Sequence, residues 1–147
     1  MMRILRDGVY FSEGDDLGFV ASIDNDDPSL YSFHPDDYRA NKLAEIKSAC
    51  EAELSALQAE YPESEVMSWD KQEREARAFV ADSSASVPLI SSLASVRGIG
   101  VPDLANRIIQ KADAYTAAIG QALGRRQKLE DQLNAMTSWE EMAEINW

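Results

Sequence analysis

Apolar residues return every three or four positions between Pro102 and Met136: Leu104, Ile108, Ala112, Tyr115, Ile119, Ala122, Leu123, Leu129, Leu133 and Met136. At about 100° per residue they share one stripe of an α-helix. With about 1.5 Å of rise per residue, such a helix would reach roughly 50 Å. Globular helices seldom exceed about 25 residues unless they are coiled coils or similar. The stripe needs cover, from earlier helices or from another chain. This helix, about 102–136, is the predicted spine of the protein.

The rest of the chain sorts by the same criterion. Leu43, Ile46, Cys50, Leu54, Leu57 and Tyr61 fall on one narrow stripe and predict a helix from about Asp36 to Tyr61, ended by Pro62. Ser64 or Ser68 is placed to cap the next helix, which runs to about Asp82 with Val66, Trp69, Ala76 and Val80 on its apolar side. Pro88 suits the first turn of a short helix closed by Gly98. Thr137 and Glu140 have capping-box spacing and predict a last short helix carrying Trp139, Met142 and Trp147.

The N-terminal pattern has period two instead. Arg3 to Arg6, then Asp7-Gly8, then Val9 to Phe11 is a hairpin signal, because Asp-Gly suits a type I′ turn. Leu17 to Ile23 reads as a third strand, and Asp24 to Pro28 as an acidic, turn-rich linker. The predicted architecture is mainly α: a long-helix bundle or helical hairpin with a small N-terminal β-hairpin or three-stranded unit. Residues 1–35 would form that β unit and linker, and 36–147 the helical domain.

Charge narrows the function classes. Acidic residues outnumber basic ones 26 to 14, for a net charge of -12. Phosphate contacts need clustered Lys and Arg, so nucleic acid is not an expected partner, and neither is an anionic membrane surface. The single cysteine forms no internal disulfide and fits a reducing compartment. No leader pattern and no apolar run of membrane-spanning length is seen, so the expected site of synthesis and folding is the cytoplasm.

Catalytic motifs are not recognisable, and the expectation is a non-enzyme without cofactor or metal. The single histidine, His34, precedes Pro35 in an acidic loop with no nucleophile elbow near it. An EF-hand loop starting at Asp24 would place Ser29 and Pro35 where Gly and Glu are required. Cys50 lies on an apolar stripe and reads as core. Glu73 falls within the apolar stripe of its helix and reads as a boundary residue. Gly120 and Gly124 each weaken a helix by about 1 kcal/mol relative to Ala, which makes sense either if another backbone packs closely there or as simple tolerance of a weak position. Arg126 lies in the spine's apolar stripe, with Arg125 and Lys128 beside it, and is expected to pair with Glu73 or another acid, or with a partner chain.

Three blocks in fixed order carry a resemblance: S-W-D-K-Q-E-R-E-A-R-A-F-V-A-D (68–82), P-L-I-S-S-L-A-S-V-R-G-I (88–99) and R-I-I-Q-K-A-D-A-Y-T-A-A-I-G-Q-A-L-G-R-R-Q-K-L-E-D-Q-L (107–133). Together they resemble the C-terminal half of bacteriophage tail fibre assembly proteins, over about two thirds of the chain from Leu43 onward. The resemblance implies a fibre-specific chaperone that binds the distal C-terminal part of a trimeric tail fibre and helps it fold and trimerise. It also implies a location in the host bacterial cytoplasm, with retention on the virion in some cases. A structural tail or baseplate component that oligomerises through its long helix is the alternative.

Candidate contact residues follow from exposure and type. Ile4, Val9, Phe11 and Phe19 are placed on the predicted strands, where an extended client would add. Trp139 and Trp147, with Arg126, are candidate anchors, since interfaces enrich Trp, Tyr and Arg. Trp69 and Tyr115 read as aromatic core.

Overall fold

A computed structural model describes residues 1–147. Elements run in the order β1 (Met2–Arg6), β2 (Val9–Gly14), α1 (Leu17–Asp24), a 3-10 turn at Pro28–Leu30, β3 (Tyr31–Phe33) and α2 (Pro35–Ala56). There follow α3 (Glu63–Val66), α4 (Trp69–Ala81), α5 (Pro88–Arg97), α6 (Val101–Ala135) and α7 (Trp139–Ala143). The fold is α+β and mainly helical, with one three-stranded antiparallel sheet. Two compact units are present: Met1–Ala52 together with Leu123–Trp147, and Glu53–Ala122. The division therefore differs from a boundary at 35/36, because the β unit shares its unit with the start of α2 and the C-terminal residues.

In the first unit the sheet order is β2-β1-β3. Asp7 and Gly8 both take positive φ (50° and 79°), as a type I′ turn demands. The third strand is not Leu17 to Ile23. That segment is helix α1, started by the Asp16 carboxylate, which accepts from the Phe19 N–H, and ended by Asn25 in the left-handed region. A short apolar run is ambiguous by periodicity, and here the caps at its two ends select helix. The third strand comes from Tyr31–Phe33, which pairs with β1 in the register Ile4↔Phe33 and Arg6↔Tyr31. Met2, Ile4, Ala21, Tyr31 and Phe33 are buried together, with Leu17, Val20, Tyr38 and Trp139 against them. Burying each large apolar side chain contributes about 1.5–3 kcal/mol. That burial holds strands too short to persist alone.

The C-terminal part of α6 joins this unit through Leu133, which is buried with Ile46 and Met142. Leu43, Leu129, Met136, Ile145 and Trp147 pack around them. Arg39 closes the end of α6. Its Nε donates to the Leu133 carbonyl at 3.1 Å and its Nη2 to the Met136 carbonyl at 2.8 Å. Helix C-termini leave carbonyls without intrahelical partners, and a cation suits the negative end of the helix dipole. The capping box of α7 sits one residue later than the pattern suggested, on Ser138 and Glu141 instead of Thr137 and Glu140.

The second unit is built on α4, α5 and the first part of α6. Ala76, Val87, Ile90, Ala94, Leu104 and Ala105 are its buried core, with Phe79, Leu93, Ile108 and Ile109 packed against them. Gly98 closes α5 at φ 66°, as expected. The face of α4 is rotated from the predicted one. Val80 is exposed, Glu73 pairs with Arg77 at 2.8 Å, and the acid that goes inside is Glu75. Its Oε2 accepts the Ile90 N–H at 3.0 Å, capping α5, whose own N-cap, Val87, has no side-chain acceptor. Tyr61, Trp69 and Tyr115 form an edge-to-face ladder with centroids 5.1 and 5.4 Å apart.

Candidate functional site

Strand β2 is an edge strand that carries one irregularity. Its register runs Arg6↔Val9 and Leu5↔Tyr10, then jumps to Ile4↔Ser12, so Phe11 is an extra residue. A bulge of this kind bends the strand and turns neighbouring side chains toward one face. Here the Phe11 ring reaches the Tyr31 ring, edge to face at 5.4 Å. Phe11 thereby comes to the side of the sheet covered by α1. Gly14 ends the strand where space is scarce: a Cβ there would lie 3.0 Å from Ile4 Cδ1 and 3.6 Å from Val20 Cγ2.

Between β2 and α1 lies an open groove of about 490 Å³. Phe11, Phe19, Val20 and Ile23 supply its apolar surface. Phe19 is 63% exposed and Ile23 67%, which is high for large apolar side chains on one short helix. Glu13, Asp15, Asp16 and Asp24 stand around it, and no Lys or Arg lines it. The main-chain groups of residues 9–14 make no hydrogen bond outside the sheet, so the outer edge of β2 is unpaired. The Ser12 hydroxyl, in the same lining, is buried and without a partner.

The platform beneath this edge is braced by charge. The Arg3 guanidinium donates twice to Asp37, from Nε at 2.8 Å and Nη2 at 2.7 Å, and the Arg3 main-chain N–H adds a third bond at 2.9 Å. Those bonds hold the Asp37 carboxyl well below the usual carboxylate range. The Tyr31 hydroxyl donates to Asp26 at 3.0 Å and, more weakly, to Asp24 at 3.3 Å. Burial and then the Asp26 bond push its pKa up to about 12. Arg6 pairs with the same Asp26 at 2.6 Å.

Of the candidate contact residues, the structure leaves Val9, Phe11 and Phe19 exposed and brings Phe11 and Phe19 together in the groove. Ile4 is fully buried, because the inward face of the central strand is core, and it is not available to a partner without unfolding. Phe19 belongs to a helix, not a strand. Trp139 packs edge to face on Phe33 at 5.3 Å and against Tyr38 at 5.7 Å, which makes it a strut of the first unit. Trp147 lies under the Arg125 guanidinium, 4.6 Å from its ring centre. Arg126 faces Glu130, one turn on, with Nε 3.4 Å from the carboxylate. Gly120 and Gly124 open onto space: an added Cβ would meet nothing within 4 Å, so no backbone of this chain packs there. Ile23 was not foreseen as a contact residue, although the Asp16 cap makes a helical reading of 17–24 accessible. His34 sits within 3.4 Å of Arg3 Nη2 and accepts from the Asp36 N–H.

The fold and this edge describe a mainly helical α+β protein with an unpaired strand beside an apolar, acid-rimmed groove. Residues 110–147 match the family described as the HI1402 helical domain. No curated protein and no solved structure matches the chain.

Proposed function

We propose that this protein is a tail fibre assembly chaperone that acts without catalysis, by holding an unpaired extended segment of the distal C-terminal part of a fibre chain until three chains come into register. The observation that carries the reading is the free edge of β2 beside exposed Phe11, Phe19 and Ile23. Trimeric β-rich fibre tips form slow, non-local pairings, and their unpaired strands are aggregation-prone while they wait. An edge strand offers main-chain hydrogen bonds to such a segment, and a neighbouring groove takes its side chains. The order of the segments 68–82, 88–99 and 107–133 adds the resemblance to tail fibre assembly proteins. The match to residues 110–147 says nothing about fibres, so the reading rests on the edge and on that order.

Coexpression with a fibre protein encoded beside it is the test. The soluble trimer yield is expected to fall when this chain is omitted, and to fall again when Phe19→Asp is supplied in its place. An unchanged yield without this chain would end the chaperone reading. Fixed-stoichiometry retention on assembled particles, with no effect on yield, would favour a structural tail component instead.

A further inference from the structure

We propose that the groove between β2 and α1 takes an extended peptide segment whose apolar residues are flanked by lysine or arginine. This rests on the chaperone reading above, in which the occupant is a strand of another chain, and it adds the chemistry that the strand must carry. The main chain of the occupant pairs along Ser12–Gly14, the part of β2 that lines the groove and lies beyond the bulge at Phe11. In an extended segment alternate side chains point the same way, so one set meets Phe11, Phe19, Val20 and Ile23.

Charge decides between occupants. Asp15 and Asp16 follow the end of β2, and Asp24 stands at the end of α1. Asp16 spends one oxygen on capping α1, and Asp24 accepts a bond from Tyr31. Glu13 pairs across the ladder with Arg3, whose guanidinium is already committed to Asp37. The lining holds four carboxylates against one cation, the Met1 ammonium 3.9 Å from Asp15, so on balance the groove repels a carboxylate-flanked segment and attracts an ammonium or guanidinium. The same charges disfavour a second copy of this chain. Two such edges side by side would oppose their own acids on proteins that each carry a net charge of -12.

The test uses the full chain and three fluorescein-labelled octapeptides, read by anisotropy. One has a Val-Thr-Val-Thr core between pairs of lysines, one has glutamates in place of the lysines, and one is the lysine peptide with N-methylated core amides. The lysine peptide is expected to bind at least about tenfold more tightly than the glutamate peptide at low salt. The gap should narrow as salt screens it. N-methylation should weaken binding by removing the donors that a strand needs. The double variant Asp15→Asn, Asp16→Asn keeps a good helix N-cap, so its helical circular dichroism should match the parent while the lysine preference shrinks. No binding of the lysine peptide, equal binding of the two charge types, or indifference to N-methylation would overturn the proposal. So would sedimentation showing a dimer that Phe11→Ser dissolves, because the edge would then serve a second copy. Selective peptide binding with an unchanged fibre yield would leave the groove's chemistry standing and remove only the chaperone reading.

Discussion

Glu75 on α4 caps α5 through Ile90: its carboxylate oxygen lies 3.0 Å from the Ile90 main-chain nitrogen, in the interior of the second unit. A helix N-terminus offers free N–H groups and positive potential, and α5 has no acceptor of its own at Val87. Glu75→Ala removes that acceptor and leaves a buried donor unsatisfied. The expected loss of stability is about 1–2 kcal/mol. Glu75→Gln keeps an acceptor oxygen and should lose less. Urea midpoints followed by far-UV circular dichroism check both, and equal losses would show that charge, not the hydrogen bond, holds α5.

Arg39 does the corresponding work at the other end of a helix. Its guanidinium satisfies the carbonyls of Leu133 and Met136 while also pairing with Asp36 at 2.7 Å. Arg39→Met preserves much of the stem and removes the donors, so the expected cost is about 1–3 kcal/mol. Arg39→Lys should recover little of it, because a single ammonium lacks the planar fork that reaches two carbonyls. Hydrogen exchange is the sharper readout, with faster exchange confined to the last turns of α6 and to α7.

The pH dependence of the first unit is expected to follow Asp37. Its carboxyl is held below the usual range by Arg3, so the native state binds a proton less readily than the unfolded chain does. Stability from this source is fully present above the unfolded value, about pH 4, and is lost as pH falls toward the depressed native value. The gap between the parent and Asp37→Asn should therefore stay constant from pH 7 to about 5 and close on further acidification. Denaturant titrations at a series of pH values measure it, and a gap that widens in acid would contradict the assignment.

Gly120 and Gly124 stand within α6, and an added Cβ meets nothing within 4 Å at either. Each Gly→Ala change should stabilise the isolated chain by about 0.5–1 kcal/mol through helix propensity. If a second chain packs its backbone there, the same changes would instead weaken the association. Thermal melts combined with sedimentation at two concentrations separate the two outcomes.

Elements specified by neighbours in sequence were legible before any coordinates. The 3.6-residue stripe of α6, the Asp7-Gly8 turn and the Gly98 stop depend on local backbone preferences, and each falls where the pattern puts it. Errors cluster where two local solutions were nearly equivalent. Thr137-Ser138-Trp139-Glu140-Glu141 contains a capping box in either of two frames, and the frame used is the one in which Trp139 packs against Phe33 and Tyr38 and Met142 is buried. The phase of α4 was set in the same way, by which side α5 covers, and that choice put Glu75 inside and left Glu73 at the surface with Arg77.

What the sequence by itself determined is the helical majority, the spine and the hairpin, because periodicity and caps act over a few residues. What only the tertiary structure decided is the third strand, the helix at Leu17–Asp24 and the groove they leave beside β2. Strand β3 is three residues long and exists only because β1 pairs with it from across the sequence. Once Tyr31–Phe33 occupies one side of β1, β2 is left with a free edge, and Phe11, Phe19 and Ile23 meet around it. Long-range pairing chooses one partner among several that local preference allows, so the binding edge is a property of the assembled sheet and not of any one segment.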